Sequence, residues 1–113
     1  LLGAQAAGAA PIAAERHGEA AAAGANDVAD GIQIREPVRK SQILAAIDDT
    51  DGDAVALASE AVERELDALH RRGFYVEPTC AVAPAALEVY RERGVVAPDD
   101  DVVVALTGSG LKT

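Results

Sequence analysis

The amino-acid sequence predicts an α/β fold, a mostly parallel open sheet with flanking helices. Three observations lead there. Short apolar runs alternate with stretches of helical periodicity, the order expected when helices cross over between parallel strands. The run Val102-Val103-Val104-Ala105-Leu106 lacks any polar alternation, as in a parallel strand covered on both faces. The 113 residues allow one domain and no more, and show no internal boundary or repeat.

Taken in order, Leu1-Leu2-Gly3-Ala4-Gln5 reads as the end of a strand. Pro11 suits the first position of a helix, and residues 12–23 are rich in helix-favouring Ala. Gly24-Ala25-Asn26-Asp27 breaks that pattern and leads into a loop with a short turn over residues 28–36. Pro37 opens a second helix over residues 38–47, with Ile43, Leu44 and Ile47 as its apolar patch. Asp48 to Asp53 form an acidic turn. Its D-x-D-G spacing invites comparison with calcium loops, but counting twelve from Asp48 reaches Ser59, and counting from Asp49 puts Ala54 where Gly is needed. A solvated turn is the better reading.

Residues 54–58 follow as a short buried strand. Ser59 is placed as an N-cap, and Val62, Leu66 and Leu69 form one apolar stripe down the next helix. His70, Arg71 and Arg72 fill its last turn and Gly73 stops it. Phe74-Tyr75-Val76 is extended. A helix then runs from Pro78 or Thr79 to Arg93, with Ala83, Leu87 and Tyr90 as its buried face and Gly94 as its stop. Asp99-Asp100-Asp101 is a solvated turn before the run at residues 102–106.

Composition narrows the function. Twenty-six residues are Ala, and neither Met nor Trp occurs, so the core is built from Ala, Val, Leu and Ile. The net charge of −9 and the lack of a basic stripe exclude a nucleic-acid partner. No apolar stretch approaches the roughly 18–20 residues of a membrane span. The single Cys80 excludes a disulfide framework and a Cys-based zinc site, and no other metal set is apparent. Asp-rich loops with Arg favoured over Lys suggest adaptation to high salt. A first residue other than Met, in a chain without Met, is read as a sign that residues 1–113 are a piece of a longer protein. A cytoplasmic location is expected from the lack of a basic N-terminal region.

Ligands of open α/β sheets bind beyond the carboxyl ends of the strands. That rule singles out two segments. Thr107-Gly108-Ser109-Gly110 is small, flexible and rich in backbone amides, and reads either as a plain strand-to-loop turn or as a seat for a flat ligand. It is no phosphate loop of the Walker type. Glu77-Pro78-Thr79-Cys80-Ala81 places a carboxylate beside free helix-start amides, or is simply a capped helix. Cys80 has no base near it in sequence and is read as a small buried residue.

Together the two segments, G-F-Y-V-E-P-T-C-A at residues 73–81 and V-V-V-A-L-T-G-S-G-L-K at residues 102–112, resemble the threonine synthases, pyridoxal-phosphate enzymes of the tryptophan-synthase-β-like family. Leu2-Gly3-Ala4-Gln5-Ala6, Pro11-Ile12 and A-D-G-I-Q-I-R-E-P at residues 29–37 fall in the family's order. The resemblance spans nearly the whole chain and matches the C-terminal third of such an enzyme. It implies the C-terminal part of the tryptophan-synthase-β-like fold, with pyridoxal 5'-phosphate as cofactor. Thr107 then matches the hydroxyl that bonds the pyridine nitrogen, and Gly108 the small residue beside the ring. Ala29, Asp30 and Gly31 match the loop along the cofactor's edge. Glu77 matches the acid of the family's E-P-[ST] turn, organising the site more than transferring protons.

The family's Schiff-base lysine and phosphate loop belong to its N-terminal part, and neither Lys40 nor Lys112 matches the lysine. No catalytic residue is therefore assigned within these residues. The implied reaction converts O-phospho-L-homoserine and water to L-threonine and phosphate, in a full-length homo-oligomer, a dimer, that takes a small amino-acid substrate. A related threonine or serine dehydratase is the nearest alternative, set apart by T-G-S-G-L-K. A non-catalytic α/β binding module is the third.

Overall fold

The computed structural model describes residues 1–112, leaving the last position outside. Two strands, β1 (Leu2–Ala6) and β2 (Asp53–Leu57), pair in parallel with Leu2 opposite Asp53 and Ala6 opposite Leu57. Parallel neighbours need a crossover, and α1 (Pro11–His17), α2 (Glu19–Ala22) and α3 (Lys40–Asp49) supply it. After β2 come α4 (Ser59–Arg71) and α5 (Val82–Glu92). Short 3-10 turns sit at Asp30–Ile32, Pro78–Ala81 and Gly110–Lys112.

Strand β2 divides the apolar interior because its side chains alternate between faces. Val55 and Leu57 join Val62 and Leu69 of α4, Val82, Ala85, Ala86 and Tyr90 of α5, and the loop residue Ala29. On the opposite face Ala54 meets Ile12 and Ile47, while Ala56 packs beside Ala10, Ala13 and Ala22. Helices thus cover both faces, as parallel strands require.

The structure corrects several expected elements. The Ala-rich helix is broken at Gly18, where φ is 92°, and α2 folds back so that the Gly8 N–H bonds the Ala22 carbonyl at 2.9 Å. The N-terminus of α1 is closed from outside the helix: Gln5 Oε1 accepts the amides of Ile12 and Ala13 at 2.9 and 3.1 Å. Helix α3 starts at Lys40 because residues 37–39 form a turn, with Val38 exposed. Within its apolar patch only Ile47 is fully buried.

Ser59 does not cap α4. Its hydroxyl accepts the Asp27 N–H at 3.0 Å, so it ties the loop before residue 30 to the helix instead. The segment after Val76 begins as a 3-10 turn, and α5 buries Val82, Ala85, Ala86 and Tyr90 rather than Ala83 and Leu87. The Tyr90 hydroxyl, which donates to the Gly3 carbonyl at 2.6 Å, fixes that rotation: positions four and eight before Tyr90 then face inward.

The largest difference lies at residues 102–106. They form no strand and join no ladder among the described residues, and Val103 is 97 % exposed. An apolar run becomes a strand only beside a partner, and this one pairs with neither β1 nor β2.

Candidate functional site

Three segments remote in sequence meet beyond the carboxyl end of β2. The first is anchored by Asn26, the one buried polar side chain among the described residues. Its Nδ2 donates to the carbonyl of Leu57, the last residue of β2, at 2.8 Å. Its Oδ1 accepts the amides of Val28 and Ala29 at 3.2 and 3.0 Å. Gln33 closes the loop from the other side by donating to the carbonyls of Asn26 and Ala29. A carboxamide satisfies this mixed set of donors and acceptors where a carboxylate would not. The loop carrying Ala29, Asp30 and Gly31 is thereby fixed to the strand end.

The second segment is the turn at residues 77–81. Pro78 fixes its entry, and the Cys80 N–H bonds the Glu77 carbonyl at 3.0 Å. Thr79 Oγ1 accepts the Gly31 N–H at 3.1 Å, which joins this turn to the first loop. Cys80 and Ala81 are buried in the main core and hold the turn from beneath.

The third is the glycine loop. The Glu77 N–H donates to the Gly108 carbonyl, and the Gly110 N–H to the Tyr75 carbonyl, both at 3.0 Å. Val76 faces Ser109 in an antiparallel bridge. Glu77 and Tyr75 therefore point to one side of this short ladder, over Gly108 and Gly110. The fit demands glycine. A Cβ on Gly108 would fall 1.8 Å from Glu77 Oε1, and one on Gly110 would fall 2.9 Å from three atoms of the Tyr75 ring.

Of the residues expected at a site, the structure brings Glu77 against Gly108 and joins Gly31 to Thr79. Ala29 is fully buried, so it shapes the loop by packing, while Asp30 is exposed. Thr107 is exposed beside Gly108 and lines a cavity of about 820 Å³. That cavity runs from Leu1, Leu2 and residues 50–52 at the amino ends of the two strands along Ala86 and Tyr90 of α5 to residues 102–105. On its wall, burial pushes the Tyr90 phenol up to about 12, with the Asp53 charge adding to the rise and Arg93 opposing it.

Sequence reasoning missed Asn26, Gln33 and His70. Asn26 stood in a recognised break, G-A-N-D, but nothing in the sequence told that its partner lies 31 residues on. His70 was assigned to the end of a helix. Its Nε2 lies 3.0 Å from the Val76 carbonyl and its ring lies against Tyr75.

A family model described as pyridoxal-phosphate dependent enzyme matches residues 1–108. Over 86 residues the chain is 35 % identical to the threonine synthase of Methanocaldococcus jannaschii and 34 % identical to that of Methanosarcina acetivorans. Each match covers 75 % of this chain and 21 % of the relative, so the chain spans about a fifth of the length of these curated proteins.

Proposed function

This chain belongs to the pyridoxal-phosphate-dependent enzyme family, and from that premise we propose that it forms one wall of the cofactor site of a threonine synthase, as the C-terminal part of a longer chain. One observation carries the reading. The Glu77–Thr79 turn is bonded both to Gly108 and to Gly31, so the three segments with family-like motifs converge although up to 77 residues separate them. The threonine synthase names of the relatives support the choice of reaction, conversion of O-phospho-L-homoserine and water to L-threonine and phosphate.

The residues present suit a flat cofactor. Thr107 offers a neutral hydroxyl at a cavity edge, and Gly108 beside it leaves room for the Glu77 side chain to pack against the loop that carries Thr107. Pyridoxal phosphate, when bound, supplies an electron sink for negative charge developing on the substrate. Thr107 would donate to the ring nitrogen; a hydroxyl there, unlike a carboxylate, leaves that nitrogen largely unprotonated. Glu77 holds the glycine loop in register through its backbone amide and fills the space beside Gly108. Asn26 and Gln33 keep the Ala29–Gly31 loop at the strand end, where it would border the ring's edge.

The test uses the complete protein from its source, loaded with pyridoxal phosphate. Incubation with O-phospho-L-homoserine should release phosphate and threonine in equal amounts. Thr107→Val should lower turnover by about tenfold or more, and Thr107→Ser should restore most of it, since one hydrogen bond to the ring is removed and returned. Deamination of serine or threonine without phosphate release would overturn the reading in favour of a related dehydratase. Failure to bind the cofactor would leave a non-catalytic binding module.

A further inference from the structure

We propose that His70 is a positioning residue for this site, acting as a side-chain substitute for a neighbouring strand. In an extended segment, successive residues present their backbone groups to opposite edges. Tyr75 and Glu77 present theirs to the glycine loop, through the bonds to Gly110 and Gly108. The Val76 carbonyl is the acceptor taken from elsewhere, by His70 Nε2 at 3.0 Å. A carbonyl can only accept, so Nε2 carries the hydrogen. The imidazole also packs on the Tyr75 ring, with centroids 5.1 Å apart and planes inclined by 52°. Tyr75 in turn lies against Gly110.

Helix α4 thus holds the 75–77 segment at two places, the Val76 carbonyl and the Tyr75 ring. The grip reaches across the turn at Gly73, whose φ of 92° bends the chain back toward the last turn of α4. That helix is itself seated in the core by Val62 and Leu69. His70 therefore couples α4 to the loop bearing Thr107 and Gly108. It lies at the surface, so replacing it leaves the core intact.

The functional consequence rests on the reading above, whereas the decisive measurement does not need the cofactor. In the intact protein, amide hydrogen exchange is compared for wild type, His70→Phe and His70→Gln. Phe keeps a ring on Tyr75 and loses the donor; Gln keeps a donor near the position of Nε2 and loses the ring. The Glu77 and Gly110 amides should exchange about three- to tenfold faster in His70→Phe, the range set by losing one net hydrogen bond. In His70→Gln they should stay within about twofold of wild type, and the Ala7 amide, bonded to Leu57, should not change in either. Unchanged Glu77 and Gly110 exchange in His70→Phe would overturn the proposal. So would equal acceleration in both variants, or acceleration of Ala7 along with them. With pyridoxal phosphate added, a wild-type protein that shows no cofactor absorbance breaks the functional reading alone, and the exchange result still decides the role of His70.

Discussion

The tripeptide Val-Ala-Leu occurs twice, at residues 55–57 and at residues 104–106, with opposite outcomes. In β2, Val55 and Leu57 are 4 % and 2 % exposed, while Leu106 in the later copy is 40 % exposed. The residues are identical, so intrinsic strand preference cannot explain the difference. What β2 has is a neighbour. Its backbone is paired with β1 along its whole length, the Asp53 N–H bonds the Leu1 carbonyl, and the Ala7 N–H bonds the Leu57 carbonyl. Helices then cover both of its faces. The later copy has the same side chains and no ladder among the described residues, which shows that strand formation here is a property of the surroundings.

The most direct way to break this comparison is to truncate the same residue in both copies. Leu57→Ala should destabilise the chain by about 2–5 kcal/mol, the usual cost of emptying a buried leucine site. Leu106→Ala should cost less than about 1 kcal/mol, as surface substitutions do. Urea unfolding of both variants measures this. Equal costs would mean that residues 102–106 are buried in the folded protein in solution.

Next in size is the link between α5 and the sheet. Tyr90→Phe removes the hydroxyl that donates to the Gly3 carbonyl and should cost about 0.5–1.5 kcal/mol, the net worth of one hydrogen bond to a carbonyl that stays within the ladder. The same residue gives an alkaline signature. Its pKa rises from 10.0 to about 12 on folding, so the folded state binds more protons than the unfolded state between those values. Stability attributable to Tyr90 is complete below pH 10 and is lost as pH rises toward 12. Tyr90→Phe should lack that alkaline loss when unfolding is followed across the same range.

How much was legible in the sequence follows from how far each signal has to reach. Val62, Leu66 and Leu69 lie within two turns of one helix, and Gly73 ends it locally, so α4 was readable almost to its limits. The parallel α/β arrangement was also readable, because alternation of elements is a property of chain order. Ser59 misled because its hydroxyl serves Asp27, 32 residues away, instead of the adjacent helix amides. The buried face of α5 depended on the reach of Tyr90 to Gly3, across 87 residues. At the site, Glu77 and Gly108 could be named from the family-like motifs, yet their contact was not visible in either segment alone. Asn26 and His70 had no such motif and emerged only from the fold.

Asp53, where β2 begins, sharpens the contrast under acid. Burial alone would raise its pKa, but the bond to His17 at 2.5 Å, the Ala54 amide and the charges of His17 and Arg16 outweigh it, and the net shift is downward from 3.8. A lowered carboxylate pKa stabilises the fold above the unfolded value and ceases to do so as pH falls through the folded value. Asp53→Asn should therefore be less stable than wild type at neutral pH, with the gap closing below pH 3.8. A gap that persists unchanged into stronger acid would show that the carboxylate charge is not what holds the start of β2.

The smallest effect compares the acidic turns that precede the two copies. In the first, Arg16 of α1 pairs with Asp48 and offsets part of the charge, while Asp53 is hydrogen-bonded to the His17 ring. In the second, Asp100 accepts the Ala97 N–H, and among the described residues Asp99 and Asp101 have no ion pair. With a net charge of −9, added negative charge is repelled wherever no cation compensates it. Asp48→Asn should then cost up to about 1 kcal/mol, whereas Asp99→Asn should be neutral or slightly stabilising at low salt. Raising the salt to about 1 M shortens the screening length to about 3 Å, which should erase both differences. The same titration tests the expectation of adaptation to high salt: the wild-type melting temperature should climb with salt as repulsion is screened. If it falls, the paired turn outweighs the unpaired one, and the acidic surface owes its composition to something other than salt.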